Sequence, residues 1–104
     1  MNKALELFTA SPRLHNCAQA VVAGCGREDL NDEMKNFGGG RAPEGLCGAV
    51  FGAMVCVGED KKAQVKEEFE ALLGSGKCRE LKANGVPCTK CVETAANLAE
   101  KYGA

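Results

Sequence analysis

The chain contains no tryptophan and no isoleucine, a single tyrosine and a single histidine. The one imidazole, His15, stands in no recognisable Ser/His/Asp set, and no paired carboxylate motif or cofactor fingerprint appears. Without isoleucine, with little threonine and with no strict apolar/polar alternation, strands have no support. Charge of one sign is not in excess either. Thirteen basic and fourteen acidic residues leave a net charge of −1, where a nucleic-acid binder carries a basic surplus. No apolar run approaches the roughly 20 residues needed to span a bilayer; the longest is Leu46 to Gly58. Neither nucleic acid nor membrane is therefore expected as a partner.

What is present is sulfur. Seven cysteines occur in 104 residues, a length that fits one domain over residues 1–104. Hydrophobic residues at 45% and charged residues at 26% suit a globular fold. The opening Met1-Asn2-Lys3-Ala4-Leu5-Glu6-Leu7-Phe8 places a glutamate where a secretory apolar stretch would continue, so a cytoplasmic location is the expectation. In a reducing compartment a cysteine-rich chain is more often metal-binding or redox-active than disulfide-stapled, and seven thiols cannot all pair. Simple packing is the competing explanation for any one of them.

The pattern predicts an all-α, compact single-domain bundle of about five to six helices around a buried, glycine-rich central helix. A first helix covers Lys3 to Phe8 and stops near Ser11-Pro12. A second runs from Cys17 through Ala23, capped by Ser11 or Asn16, and ends near Gly24 to Gly26. Leu30, Met34 and Phe37 mark a third, terminated by Gly38-Gly39-Gly40. The apolar segment after Pro43 reads as a helix buried on every side. Val65, Phe69, Leu72 and Leu73 form the stripe of a fifth helix closed by Gly74, and Cys78 to Leu81 makes a short turn. A last helix starts near Pro87 and carries Val92, Ala95, Ala99 and Tyr102 inward.

Within the central segment, Gly45, Gly48 and Gly52 leave one face nearly bare. Each glycine inside a helix costs roughly 0.5–1 kcal/mol relative to alanine, so close approach of a backbone or a ligand is expected there. Cys47 sits beside this face near the helix start, where backbone N–H groups and the helix dipole favour a thiolate. Cys56 projects from nearly the opposite side and reads as packing. Gly38, Gly39 and Gly40, with Gly48, are the candidate cofactor-binding glycines, since they expose backbone donors; no Gly-Lys-Ser/Thr follows, so this is not a P-loop. Cys88-Thr89-Lys90-Cys91 is a C-x-x-C at a helix start. It lacks the histidine of a haem attachment and the βαβ setting of a thioredoxin pair, and fits half of a metal site best. Cys17 to Cys25 and Cys47 to Cys56 are similar segments, small and apolar with a cysteine at each end.

Taken in order, Asn16-Cys17-Ala18-Gln19-Ala20-Val21, Phe37-Gly38-Gly39-Gly40, Cys47-Gly48-Ala49-Val50-Phe51-Gly52, Cys78-Arg79-Glu80-Leu81 and Cys88 resemble a bacterial and archaeal family of redox-active proteins. That family is named for its C…GCAxxG…C…C cysteine pattern. The likeness runs from about Ala4 to Leu98 and implies that Cys17, Cys47, Cys78 and Cys88 are the four characteristic cysteines, with Cys91 as a substitute for Cys88. His15 stands where an aromatic residue is common, and Cys25, Cys56 and Cys91 are additions to the pattern.

Three functions compete, and the first is the favoured expectation. Cys17, Cys47, Cys78 and Cys88 can converge to bind an iron–sulfur cluster, or zinc, in an electron carrier rather than a classical enzyme. The same residues can cycle between dithiol and disulfide as redox-active cysteines of an oxidoreductase. Or the cysteines fill the core of a structural or interaction protein. The partner implied by either redox reading is an unidentified electron donor or acceptor, and the small-residue helix faces permit a homodimer.

Overall fold

A computed structural model describes residues 3–9, 15–35 and 45–102 of the chain. Among these residues there are seven α-helices and no strand. They are α1 (Lys3–Thr9), α2 (Cys17–Gly24), α3 (Asn31–Met34), α4 (Gly48–Val57), α5 (Glu59–Leu73), α6 (Cys78–Ala83) and α7 (Cys88–Lys101), with a 3₁₀ turn at Glu28–Leu30 before α3. The all-α bundle expected from the sequence is what forms; the helix count is higher because α3 and α6 are only one to two turns long. Ser11, Phe37 and the glycines Gly38, Gly39 and Gly40 lie outside the described residues. No helix among the described residues is long and apolar enough to cross a membrane.

Helix α4 is the axis of the bundle and packs against α2, α5 and α7. Ala49, Val50 and Ala53 are fully enclosed, and they join Val21, Val65, Phe69, Val92, Ala95 and Ala99 in one core. The enclosure is not complete, contrary to the expectation of burial on every side. Phe51, Met54, Val55 and Val57 are only half-buried, because a chain this short has too few elements to surround a central helix. Gly45 is also not part of the helical face: it precedes α4 and adopts a left-handed φ of 73°.

The glycine expected to allow close approach is Gly52. A Cβ built there would stand 3.0 Å from the Ala18 carbonyl oxygen and 3.5 Å from Val21 Cβ, so α4 lies almost backbone to backbone on α2. Gly24 does the same for α1, where an added Cβ would come within 2.7 Å of the Ala4 nitrogen.

On α5, Val65 and Phe69 are buried one turn apart and Leu73 is half-buried, but Leu72 is 61% exposed. The stripe is thus narrower than four residues. Leu72 falls on the flank of the helix, beside a groove between α5 and α7, and Lys101 Nζ bridges that groove to Glu68 Oε1 at 2.6 Å.

Candidate functional site

Four cysteines open four helices. Cys17 is the first residue of α2, Cys47 the N-cap of α4, Cys78 the first residue of α6 and Cys88 the first residue of α7. Each position has a local cause. Asn16 caps α2: its side-chain oxygen accepts from the Gln19 N–H at 2.7 Å, while Gln19 Oε1 accepts from the Asn16 N–H at 2.9 Å, a reciprocal capping box. The Asn16 amide also donates to the Met34 and Lys35 carbonyls, at 3.2 and 2.9 Å, so the start of α2 is pinned to the end of α3.

Cys47 and Cys78 are brought together by an antiparallel bridge between Leu46 and Lys77. The Cys47 N–H donates to the Gly76 carbonyl at 2.8 Å. A Cβ at Gly76 would meet the Glu70 and Leu46 side chains at 3.3–3.4 Å. Helix α6 then ends in a Schellman motif. The Val86 N–H reaches the Leu81 carbonyl at 2.9 Å and the Gly85 N–H reaches Lys82 at 3.1 Å, with Gly85 at a φ of 77°. The turn delivers Pro87 as the N-cap of α7, and Cys88 follows at once.

These starts meet at one cavity of about 40 Å³, lined by Cys17, Cys47, Cys78, Cys88 and Cys91 together with Leu81, Lys82 and Val86. Cys88 and Cys91, which the sequence offers as alternatives, both line it. Cys88 is exposed at the mouth and Cys91 is 3% exposed one turn deeper. Gly48, proposed for cofactor binding, is buried in the first turn of α4 behind Cys47 and does not line the cavity.

Inside the cavity three thiols form a hydrogen-bonded chain with Cys47 in the middle, joined to Cys17 on one side and Cys91 on the other. The bond with Cys17 favours a Cys47 thiolate. The bond shared with Cys91, burial, and the charge of Cys91 outweigh it, and the Cys47 thiol is pushed up to about 12. This corrects the expectation of a thiolate at Cys47: its place at the N-cap of α4 favours ionisation, but its depth in the core does not. The hydrogen bond from Cys47 instead holds Cys91 below the ordinary thiol range, against burial and the nearby sulfurs of Cys88, Cys17 and Cys78. Of the pair Cys47 and Cys91, it is Cys91 whose ionisation the contact favours.

Lys82 was missed from sequence. It lies four residues after Cys78, on the same face of α6 as Cys78 and Leu81, and lines the cavity with them. The spacing itself was the available signal.

None of the seven cysteines forms a disulfide. Among the described residues no group of three or more His, Cys, Asp or Glu side chains is arranged to hold a metal ion. The remaining two cysteines, Cys25 and Cys56, are elsewhere, at the far ends of α2 and α4. No family model, no curated protein and no solved structure matches the chain.

Proposed function

We propose that the chain is a redox protein that works by thiol–disulfide exchange at the cavity formed by Cys17, Cys47, Cys78, Cys88 and Cys91. The observation that carries this reading is the continuous contact of thiols from three helices, ending on Cys91, one turn below the exposed Cys88. Cys88, at the first position of α7, attacks one sulfur of a partner disulfide and forms a mixed disulfide, and the partner leaves as a thiolate. Cys91 then attacks Cys88, the S–S bond closes within the protein and the second partner sulfur leaves. Two thiols of the chain lose two electrons and two protons, and the partner disulfide gains them. Cys47 stabilises the Cys91 thiolate by hydrogen bonding, and Lys82 lines the same cavity. The resemblance of the cysteine order to the C…GCAxxG…C…C family supports a redox role for Cys17, Cys47, Cys78 and Cys88.

A metal-binding reading is favoured by a separate observation: five soft donors surround one cavity, more than a dithiol pair requires. Cys17, Cys47, Cys78 and Cys88, with Cys91 in reserve, would be the ligands. About 40 Å³ exceeds the roughly 10–15 Å³ that a cavity needs to admit one water, so a single ion such as zinc has room. Bound metal would hold the thiolates and offset their charge.

Trypsin cuts at Lys90, between Cys88 and Cys91, so the proposal has a direct test. After equilibration of the full chain with glutathione disulfide and alkylation of remaining thiols, peptides 83–90 and 91–101 should be recovered joined by a disulfide, about 2 Da lighter than the two thiols. Both cysteines fully alkylated at every redox poise would overturn exchange chemistry. Anaerobic protein carrying one equivalent of zinc or iron that blocks alkylation would establish the metal reading instead.

A further inference from the structure

Helices α2 and α4 run side by side in the same direction. Their starts meet at Cys17 and Cys47, Gly52 in the middle of α4 lies on Ala18 and Val21, and their ends meet at Cys25 and Cys56. At 1.5 Å per residue the two thiol pairs are about 12–14 Å apart along the helices. The likeness of the segments Cys17 to Cys25 and Cys47 to Cys56 thus has a three-dimensional counterpart: one thiol pair at each end of the same helix pair.

Cys25 and Cys56 are hydrogen-bonded through their side chains. Both pack with Ala18, Val22 and Met34 in a second, smaller core cluster. The backbone at Cys25 is fixed. Cys25 is the C-cap of α2, and a Schellman motif closes over it: the Arg27 N–H reaches the Val22 carbonyl at 2.8 Å and the Gly26 N–H reaches Ala23 at 3.1 Å, with Gly26 at a φ of 84°. Cys56 lies in the last turn of α4, one turn beyond Gly52, where the two backbones are closest. The two differ in access, since Cys25 is half-buried and Cys56 is 9% exposed.

We propose that Cys25 and Cys56 are a second redox site, separate from the five-cysteine cavity, which low-molecular-weight disulfides of the glutathione type oxidise to an intramolecular disulfide tying the end of α2 to the end of α4. The more accessible Cys25 sulfur attacks the small disulfide, forms a mixed disulfide and releases one thiolate. Cys56 gives up its proton and attacks the Cys25 sulfur, and the second thiol leaves. Two protein thiols lose two electrons and two protons, and the small disulfide is reduced to two thiols. The hydrogen bond from Cys56 lowers Cys25 against burial and the facing Glu100 carboxylate, which suits Cys25 to attack first; at Cys56 the charge of Arg27 favours the thiolate and that of its partner Asp29 opposes it. None of these steps uses a residue of the cavity, so the site stands whether that cavity exchanges disulfides or binds metal.

Peptide mapping of the full-length chain separates the two ends. Cleavage at Arg and Lys leaves Cys17 and Cys25 together on peptide 14–27, and a further cut at Phe51 divides Cys47 from Cys56. After equilibration with glutathione disulfide and acid-quenched alkylation, peptide 14–27 should be joined to peptide 52–61, which carries Cys56. The linkage should persist in Cys17→Ala and disappear in Cys25→Ala. Peptide 52–61 recovered with Cys56 fully alkylated at every glutathione ratio overturns the proposal, as does glutathione held on Cys25 without closure onto Cys56. The overturning result, Cys56 left fully alkylated, is read in the unaltered chain, so it does not depend on any variant folding.

Discussion

Gly52 of α4 lies against the backbone of Ala18 in α2, with room for a hydrogen but not for a methyl group: a Cβ on Gly52 would be 3.0 Å from the Ala18 carbonyl oxygen. This contact sets the separation of the two helices whose ends carry both thiol pairs. Gly52→Ala gains roughly 0.5–1 kcal/mol of helix propensity but pushes a methyl into backbone that cannot rotate away, a type of overpacking that costs about 1–3 kcal/mol. The net expectation is a modest loss of stability, read as a lower urea midpoint with an unchanged m-value. Gly24→Ala should lose more, because its Cβ would meet Ala4 backbone at 2.7 Å. A Gly52→Ala protein as stable as the parent would show that α2 and α4 separate easily.

The helices could be read in the sequence because glycines punctuate it and apolar stripes are short and regular. Gly74 closing α5 and Pro87 opening α7 are local signals with local causes. The placement of Cys17, Cys47, Cys78 and Cys88 at helix starts was legible for the same reason. The partner of Cys56 was not. Its angle relative to Cys47 on one helix excludes it from the cavity, but nothing in that angle says that Cys25 of another helix lies opposite. Burial was equally hidden: the sequence gives Cys47 an N-cap position, and only the packing of α7 across it decides that it keeps its proton. Leu72 shows the reverse error, since its spacing suits a core stripe and its side chain remains outside.

Asn16 does not touch the cavity, yet it determines where Cys17 stands. Its side chain caps α2 and its amide holds two carbonyls at the end of α3. Asn16→Ala should destabilise the chain by about 1–2 kcal/mol. It should also speed alkylation of Cys17 relative to Cys78, because α2 frays from its first turn. Asn16→Asp retains the cap but not the two amide bonds and should fall between. Equal Cys17 rates in all three proteins would separate the cap from the site.

Thiol reactivity should follow depth. Cys88 is exposed, Cys17, Cys25 and Cys78 are half-buried, and Cys47, Cys56 and Cys91 are buried. In reduced native protein, timed alkylation with mass mapping should modify Cys88 first. The buried three should react only through opening of the structure, more slowly than Cys88 by a factor of about ten or more. In strong denaturant all seven should react at similar rates. Fast native alkylation of Cys47 would be incompatible with its place in the core.

Stability of the reduced protein should pass through a maximum near the pH at which ordinary thiols ionise. Cys91 and Cys25 are held below that range in the fold, so approaching it from lower pH the native state has released protons that the unfolded chain still binds, and rising pH favours folding. Above about 8.5, where unfolded cysteine ionises, the balance reverses. The folded Cys47 retains its proton up to about 12, and Cys56 is raised in the same direction, so the unfolded chain now binds fewer protons and rising pH favours unfolding. One pKa unit is about 1.4 kcal/mol, and 1 kcal/mol corresponds to roughly 4–8 °C in a domain of this size. Thermal melts with excess reductant should therefore lose several degrees between about pH 9 and 11. Lysine and tyrosine also titrate there, so the comparison that matters is with Cys47→Ala. It starts from a lower Tm because a buried side chain is trimmed, but its alkaline slope should be shallower, and adding Cys56→Ala should flatten it further. Parallel slopes in the parent and both variants would show that the buried thiols ionise in the native state as readily as in the unfolded chain.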